Sequence, residues 1–345
     1  MALEGRLRIM KKTVTLNSVA VEAGVSRATA SLVLRNSPLV SLETRDRVIC
    51  AMDKLGYIYN RGAANMRGQK TGTIGLVLCD IGSPFYSQLM LGIDEVIVDA
   101  NIVAILVNSA ENPDRQMRQI RRMREHGVDG LILCPAAGSS DALLSEIEPF
   151  HLPCIQVLRH VSQRNGDYVG PDYTDGVSLA VKHLIRHGRR KIVFLGGRPI
   201  HSAARERLDG FRKTLKKHKL EHDLIIHTDL ENLSDLGSFP ELMTSSSPPD
   251  AVICYNDMLA QSVMGYLLAR GKMPGRDVAV IGADDLPQSA VSFPTLTTIV
   301  TDPVGVGRNA ARLLLDRIDN PTASSTRILV SGHLTVRQSC GGHLP

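Results

Sequence analysis

The sequence predicts a small all-α head containing a helix-turn-helix, joined to an α/β body of two doubly wound parallel-sheet lobes. Three observations support this fold class. The first 70 of the 345 residues contain 12 Lys and Arg against 5 Asp and Glu, a net charge of +7, whereas the remainder has a net charge of −2. The same N-terminal segment has apolar residues at helical spacing. From Thr73 onward, short apolar runs alternate with amphipathic segments, a pattern typical of parallel sheets covered by helices.

The head shows three short helical segments separated by turns. The first segment has one apolar face, made of Leu16, Val19, Ala20 and Ala23. Gly24 then supplies the left-handed conformation that commonly ends a helix, and Ser26 is placed to cap the second segment. The third segment begins at Ser41 and stops at Gly56, and its predicted inward residues are Val48, Ile49, Met52 and Leu55. Two helices joined by a tight glycine-containing turn form a helix-turn-helix.

A helix-turn-helix places the first residues of its second helix in the major groove of DNA. Here those residues are Arg27 and Ala28. The arginine can make a bidentate contact to guanine, and the alanine can touch a thymine methyl group. Thr29 and Ser31 are placed to reach phosphates. The basic charge of the head favours double-stranded DNA as a partner, and a solvated basic surface is the alternative interpretation.

The body contains two series of apolar runs. "TIGLVLC", "IVAILVN", "GLILC" and "CIQVL" form the first series, and "KIVFLGG", "LIIHT", "AVICY" and "VAVIG" form the second. Two such series predict two lobes that face each other. Ligands bind parallel sheets at the carboxyl ends of the strands, so the cleft between the lobes is the predicted ligand site.

The order of short motifs in both parts resembles the lactose-repressor (LacI) family of transcription regulators. In the head these motifs are Val-Ala, Ala-Gly-Val-Ser, Thr-x-Ser, Asn-x-x-x-Val-Ser, Thr-Arg and Leu-Gly-Tyr. In the body, "DIGSPFY", "GVDGLIL", "RERLDGF", "CYNDMLA" and "PTLTTI" resemble the periplasmic-binding-protein-like domain of that family. The resemblance extends from about Thr15 to Ser339. It implies a DNA-binding domain over 13–59, a hinge over 60–72, and an effector-binding and dimerisation domain over 73–339, with lobe crossovers near 170, 300 and 330.

The resemblance also implies a set of DNA-contacting residues. They are Thr15, Ser26, Arg27, Ala28, Thr29, Ser31, Asn36, Asn60, Arg61, Ala64 and Met66. One departure concerns Leu32, which stands where family members often have a base-reading arginine. The operator preference of well-known relatives is therefore not expected to transfer to this chain.

The stretch "YNRGAANMRGQKTG", residues 59–72, lies between the head and the body. Gly62 and Gly68 weaken any helix here, because helix nucleation is costly and each glycine adds roughly 1 kcal/mol. The resemblance implies a hinge helix that forms on operator DNA, with Met66 as an apolar wedge in the minor groove. A disordered tether is the alternative.

Candidate effector-binding residues follow the predicted strands at positions that match the family's pocket. They are Phe85, Tyr86, Arg159, Arg205, Arg207, Asn256, Asp257 and Asp284. Arg205 is the first choice for gripping ligand oxygens, and Arg207 is the alternative. Asn256 and Asp257 could instead simply cap the following helix. Leu158-Arg159 replaces the Asp-Arg of many relatives, which favours a more acidic or less hydroxylated effector than a neutral sugar.

The sequence lacks the motifs that are typical of several classes of enzyme and of metal sites. The sequence has no GxSxG, P-loop or GxGxxG motif after a strand, so we expect no enzyme activity and no cofactor. His183 and His187 are spaced i, i+4 on one helix face but lack the rest of a HExxH setting, and no metal site is expected. Six scattered cysteines, several within apolar runs, are expected to be buried and reduced.

Localisation and partners complete the prediction. No apolar run reaches the eighteen or so residues of a membrane span, and the N-terminus lacks the features of a signal peptide, so a cytoplasmic, nucleoid-associated protein is expected. The resemblance implies a homodimeric repressor that binds a palindromic operator under control of a small molecule, most simply a sugar or sugar derivative. A cytosolic or periplasmic-type sugar-binding receptor without specific DNA function is the alternative.

Overall fold

The protein is described by a computed structural model that covers residues 14–34, 37–58, 70–220, 224–229, 232 and 234–341. The chain divides into two compact units, Met1–Thr71 and Gly72–Pro345. They are called the head and the body below. Within the described residues, no helix is both long and apolar enough to cross a membrane.

The described residues of the head, 14–34, 37–58 and 70–71, contain three helices, α1 (Leu16–Glu22), α2 (Arg27–Leu34) and α3 (Leu42–Leu55). Gly24 separates α1 from α2 with a φ of 64°, and Gly56 ends α3 with a φ of 62°. A small core joins the three helices and consists of Val19, Ala20, Ala23, Ala30, Val33, Val48 and Ala51. The predicted inward position of Ile49 is wrong, because its side chain is 45% exposed and Ala51 takes the buried place.

The body begins with alternating strands and helices. In chain order these are β1 (Thr73–Leu78), α4 (Pro84–Asp99), β2 (Val103–Asn108), α5 (Pro113–Glu125), β3 (Gly130–Leu133), α6 (Ala142–Ile147), β4 (Cys154–Val157) and β5 (Asp167–Pro171). The second half continues with α7 (Tyr173–Arg186), β6 (Ile192–Gly196), α8 (Ser202–Lys217), β7 (Ile225–His227), α9 (Phe239–Thr244), β8 (Ala251–Cys254), α10 (Asp257–Leu268), β9 (Ala279–Ala283) and α11 (Pro287–Val291). The last elements are β10 (Thr297–Val300), α12 (Pro303–Asp319), β11 (Arg327–Val330) and β12 (His333–Thr335).

These strands form two six-stranded sheets, one in each lobe. The first lobe has the strand order β11-β5-β4-β3-β1-β2, and the second has β12-β10-β9-β8-β6-β7. All neighbouring strands are parallel except the pair β10 and β12. The chain passes between the lobes after β5, after β10 and after β11. This arrangement confirms the predicted fold class.

Helices cover both faces of each sheet. In the first lobe, α4 and α12 pack on one face, and α5 and α6 pack on the other. In the second lobe, α7 and α8 cover one face, and α9 and α10 cover the other. Burial on both faces explains the continuous apolar runs of the inner strands, because β3, β5, β6, β8 and β9 are buried along their whole length. The helices leave the carboxyl ends of the central strands uncovered, and these ends face the cleft.

The six cysteines are all free. Four of them are buried and Cys154 is half-buried, but Cys50 on α3 is exposed. The expectation of burial is therefore wrong for Cys50, which stands on the solvent side of an amphipathic helix beside the exposed Ile49.

Candidate functional site: a recognition helix and an interlobe cleft

The beginning of α2 presents a compact set of exposed side chains. Ser26 precedes the helix, and its hydroxyl accepts a hydrogen bond from the backbone N–H of Thr29 at 3.0 Å. This cap satisfies one of the free donors of the first helical turn. Arg27 and Ala28, the first two residues of α2, are exposed. The two predicted base-reading residues therefore stand side by side at a solvent-facing helix start.

The other predicted DNA-contacting residues differ in their placement. Thr29 is half-buried, and its hydroxyl lies 2.9 Å from that of Ser26. Ser31 is also half-buried. Thr15 is exposed and caps α1, because its hydroxyl accepts from the backbone N–H of Ser18 at 3.3 Å. The remaining candidates, Asn36, Asn60, Arg61, Ala64 and Met66, lie outside the described residues.

A cleft of about 920 Å³ lies between the two lobes of the body. Its walls come from the carboxyl ends of β1, β2, β4, β6, β7, β8 and β9 and from residues that follow them. Six of the eight predicted effector residues line it, namely Phe85, Tyr86, Arg159, Arg207, Asn256 and Asp284. Arg205 and Asp257 are not among the residues that line the cleft.

Phe85 and Tyr86 form an aromatic wall at the start of α4. Their rings meet edge to face with centroids 5.9 Å apart, and both side chains are largely buried. The Tyr86 hydroxyl lies 3.5 Å from the Cys134 thiol. Burial raises the pKa of Tyr86 well above its ordinary value, so this hydroxyl remains protonated. The wall offers apolar ring surface to a ligand.

Arg207, rather than Arg205, brings a guanidinium group to the cleft. Arg207 is 5% exposed, and its guanidinium carbon lies 3.8 Å from the ring centroid of Tyr173 and 4.3 Å from that of Tyr255. Arg205 is exposed and donates a hydrogen bond to the Pro199 carbonyl at 3.4 Å. Residues two positions apart on a helix point in nearly opposite directions, so only one of the two arginines can face inward.

Asp284 follows β9 and lies close to the Arg207 guanidinium. Its backbone φ of 107° is one that side chains rarely adopt, and the Thr301 hydroxyl donates to its carboxyl at 3.4 Å. Burial raises the pKa of Asp284 to about 8, although the Arg207 charge opposes the shift. The carboxyl is therefore largely protonated at neutral pH and can donate a hydrogen bond as well as accept one.

Arg159 reaches the cleft from the opposite lobe. Its guanidinium forms an ion pair with Glu111 at 2.8 Å and also donates to the Pro135 carbonyl at 3.4 Å. The second contact of the Glu111 carboxylate is the backbone N–H of Ala137, at 2.8 Å. Arg159 thus lines the cleft with its charge already balanced.

Asn256 and Asp257 follow β8 but have different environments. The Asn256 side chain lines the cleft while its oxygen accepts from the backbone N–H of Leu259 at 2.9 Å, so it caps α10. Asp257 is 0% exposed and accepts hydrogen bonds from the hydroxyls of Ser289 and Thr298 at 2.7 and 2.5 Å. The predicted ligand contact of Asp257 is therefore corrected to a structural role that joins β8 to β10.

Several cleft residues were missed by sequence reasoning. Tyr173, Tyr255, His201 and Met258 line the cleft, and none of them was singled out. Tyr255 directly precedes the strand-end residue Asn256, so its position at the end of β8 could have identified it. Burial, together with the charges of nearby arginines, lowers the pKa of His201 to about 2, and the imidazole is neutral.

The lobes also contact each other beside the cleft. The His160 imidazole Nε2 lies 2.7 Å from the Glu206 carboxylate on α8. The backbone N–H of His160 donates to the Ser202 hydroxyl at 2.9 Å, and the backbone N–H of Gly138 donates to the Ile200 carbonyl at 3.3 Å. His160 and Gly138 belong to the first lobe, whereas their partners belong to the second. These bonds hold the lobes in the arrangement described here.

The predicted histidine pair lies away from the cleft. The rings of His183 and His187 on α7 have centroids 4.2 Å apart, and His183 Nε2 is 3.2 Å from the Cys340 thiol. Across the part of the chain that the structure describes, no group of three or more His, Cys, Asp or Glu residues could hold a metal ion.

A helix-turn-helix with an exposed recognition helix, joined to a two-lobed domain with a ligand-sized cleft, defines the class of ligand-responsive DNA-binding regulators. Comparison with known families agrees with this class. Residues 15–60 match the family described as bacterial regulatory proteins, lacI family, and residues 181–340 match the periplasmic binding protein-like domain.

Individual relatives extend the match over nearly the whole chain. The ribose operon repressor of Bacillus subtilis (strain 168) is 33% identical over 316 residues, which cover 91% of this chain and 94% of the relative. The lac repressor dimer bound to operator and the anti-inducer ONPF is 26% identical, with a TM-score of 0.83 over 95% of this chain and 99% of that one. The transcriptional regulator CelR in complex with cellobiose is 29% identical, with a TM-score of 0.72 over 94% and 99%. This chain belongs to the lacI family of bacterial transcription regulators.

Proposed function

We propose that this protein is a repressor that binds a palindromic operator as a homodimer, and that a sugar or sugar derivative in the interlobe cleft controls this binding. One observation carries the proposal: the same chain has two features that a ligand-controlled repressor needs. The recognition helix α2 begins with the exposed residues Arg27 and Ala28, and a cleft of about 920 Å³ lies at the strand ends of the body. The protein then acts at the nucleoid in the cytoplasm and catalyses no reaction. The relatives named above are repressors and transcription regulators, which supports this assignment.

Base readout is assigned to the start of α2. Arg27 contacts a guanine edge and Ala28 a thymine methyl group, whereas Ser26, Thr29, Ser31 and Thr15 contact the phosphate backbone. In the proposed domain division, the head spans 13–59, the hinge 60–72 and the body 73–339. Further contacts are assigned to Asn36 and to the hinge residues Asn60, Arg61, Ala64 and Met66. Two copies of the head on a two-fold axis match a palindromic site.

The effector is assigned to the cleft residues at the strand ends. Phe85 and Tyr86 offer ring surface, and Arg159, Arg207, Asn256 and Asp284 offer polar groups. A few polar groups among aromatic walls are typical of small-molecule sites, because the rings bury the ligand and the polar groups fix its orientation. The bound cellobiose of the relative CelR supports a carbohydrate-like ligand.

Control of DNA binding follows from the two-lobed construction. A ligand that contacts both lobes binds one lobe arrangement better than another and shifts the equilibrium between them. The shift changes the spacing of the two copies of the 60–72 segment at the dimer axis and with it the affinity for the operator. The coupling is reciprocal, so operator DNA must change effector affinity by the same factor.

The test is capture of sheared genomic DNA by the full chain at moderate and high salt, followed by sequencing. A few enriched palindromes are expected, and retention should fall steeply with salt because several phosphate contacts release counterions. Absence of retention at both salts would overturn the proposal and favour a receptor without specific DNA function.

Arg27→Ala tests the assignment of base readout to α2. The variant is expected to lose about 1–3 kcal/mol of preference for the captured operator over random DNA, because a bidentate contact to guanine is lost. Arg47→Ala is the matched control, since it removes an equal charge from an exposed position on α3. Binding to both DNAs is measured by fluorescence anisotropy, and an equal loss of preference in both variants would contradict the assignment.

A further inference from the structure

The inner end of the cleft contains a buried positive charge without a carboxylate ion pair. The Arg207 guanidinium carbon lies over two tyrosine rings, 3.8 Å from the centroid of Tyr173 and 4.3 Å from that of Tyr255. Its edge donates one hydrogen bond, at 3.2 Å, to the Ala203 carbonyl, and a second contact is made to Tyr173. Among the described residues, no carboxylate lies within 4.0 Å of this guanidinium. A buried charge without a counter-charge is costly, so this edge favours an acidic partner.

The carboxylates around the inner cleft do not supply that partner. Glu111 is occupied by Arg159 and by the backbone N–H of Ala137, both at 2.8 Å. Asp257 is occupied by hydroxyl donors from Ser289 and Thr298. Asp284 is the nearest remaining carboxyl, and burial raises its pKa to about 8, so it adds little negative charge at neutral pH. None of these three carboxyl groups therefore forms an ion pair with Arg207.

His201 also lies at the inner end of the cleft. Its imidazole Nδ1 accepts a hydrogen bond from the backbone N–H of Ala204 at 3.2 Å, and its ring lies edge-on to Tyr255 with centroids 6.3 Å apart. Burial and the charges of Arg159, Arg207 and Arg205 lower its pKa to about 2. The imidazole is therefore neutral and does not supply Arg207 with a negative partner.

The acidic residues at the cleft mouth do not alter this balance. Asp80 and Asp229 are exposed, and the Asp235 carboxylate accepts from two backbone N–H groups of its own loop, those of Asp229 and Gly237. The cationic Arg198 is exposed at the same mouth. Charges that face water are screened, whereas charges in the buried inner cleft are screened much less.

We infer that the effector is a sugar acid whose carboxylate pairs with the edge of Arg207, while its ring lies against the aromatic wall of Phe85 and Tyr86. This inference rests on the proposed function, since it specifies the chemistry of the same cleft. A carboxylate is favoured over a phosphate because one unbalanced guanidinium matches a single negative charge. The planar fork of guanidinium also fits a planar carboxylate in a bidentate pair.

The test compares each sugar acid with its neutral parent on the full chain. The probes are glucuronate with glucose, galacturonate with galactose, and glucose 6-phosphate as the phosphate arm, all at matched ionic strength. Affinities are measured by isothermal titration calorimetry after a thermal-shift screen. At least one acid is expected to bind about tenfold or more tightly than its parent, the value of a charge-assisted hydrogen-bonded pair.

Variants of Arg207 and Arg205 test which arginine recognises the carboxylate of the acid. Arg207→Gln is expected to abolish the preference for the acid, and Arg207→Lys is expected to restore part of it, because a cation without the planar fork remains. Arg205→Gln should retain the full preference, since this residue is exposed on the other side of α8. Thermal unfolding of each variant verifies that it is folded.

Four outcomes would overturn the inference. Three of them are equal or tighter binding of the neutral parents, tighter binding of glucose 6-phosphate than of every acid, and a preference for the acid that survives in Arg207→Gln. Failure of every acid to bind, in a preparation that still captures palindromic DNA, would also overturn it and would leave the proposed function intact. Loss of specific DNA capture by the unmodified chain would instead count against the proposed function.

Discussion

The carboxyl group of Asp284 sits at the end of β9 in an environment that disfavours its charge. The residue is 8% exposed, and burial raises its pKa from 3.8 to about 8. The folded state therefore holds the proton more tightly than the unfolded state does. A carboxyl with a raised folded pKa costs stability progressively as the pH rises from about 4 to about 8. Its position beside Arg207 links this cost to the chemistry of the cleft.

Asp284→Asn is predicted to raise the melting temperature at pH 8.5 and to change it little at pH 4. The amide removes the ionisable group and retains an oxygen for the Thr301 hydroxyl. The measurement is thermal unfolding across the pH range. Asp80→Asn serves as control, because this carboxylate is exposed at the same cleft. A stabilisation of equal size at both pH values would show that ionisation of Asp284 is not its cause.

At the scale of elements, the contact between α4 and α12 depends on two glycines. A Cβ atom at Gly92 would lie 2.0 Å from the Val304 carbonyl oxygen, and one at Gly307 would lie 2.1 Å from that of Leu89. The clashing atoms are backbone atoms, which cannot turn aside as a side chain can. The two helices therefore approach each other directly through their backbones, and the first lobe depends on this contact to cover one face of its sheet.

Gly307→Ala is predicted to destabilise the body by about 1–3 kcal/mol, the usual cost of overpacking. Gly265→Ala on α10 is the matched control, since a Cβ there meets nothing within 4 Å. That substitution should stabilise the protein by up to about 1 kcal/mol through helix propensity alone. Urea unfolding of both variants measures the difference. Stabilisation by both substitutions would show that the helices do not require the close approach.

At the scale of the whole body, the bonds between the lobes determine which arrangement is populated. The His160 and Glu206 pair is largely buried and lies directly beside the cleft. Together with the bond from the His160 backbone to Ser202, it joins α8 of the second lobe to the end of β4 in the first. An equilibrium between lobe arrangements is sensitive to a few such bonds, because the arrangements differ by only a few kcal/mol.

Glu206→Ala is predicted to shift this equilibrium toward separated lobes by about 1–3 kcal/mol, the value of a hydrogen bond to a charged group. The radius of gyration of the effector-free protein from small-angle X-ray scattering should increase. Asp209→Ala on the same helix is the control, because Asp209 is exposed and pairs with Lys213 of the same helix at 3.2 Å. Identical scattering from both variants and the unmodified chain would contradict the prediction.

Much of the architecture was readable from local patterns. Continuous apolar runs separated by amphipathic segments identify parallel strands and their covering helices, because a strand buried on both faces needs no alternation. The beginning of α2 was equally readable, since Ser26 as a cap and Gly24 as a left-handed turn are local choices. The errors in the head concern Ile49 and Cys50, which face water because the short helices bury only a narrow stripe.

By itself, the sequence determined the two doubly wound lobes, the helix-turn-helix and the strand ends at which a ligand site could lie, because each depends on periodicity and turn chemistry within a short stretch. Only the tertiary structure decided which strand-end residues face the cleft. Arg207 faces inward and Arg205 faces outward, because only the face of α8 that carries Arg207 packs against Tyr173 and Tyr255. Asp257 is withdrawn from the cleft because its partners, Ser289 and Thr298, come from segments about thirty to forty residues further along the chain. Such long-range contacts produce no local pattern in the sequence. The balance of charge in the cleft is therefore known only from the assembled lobes.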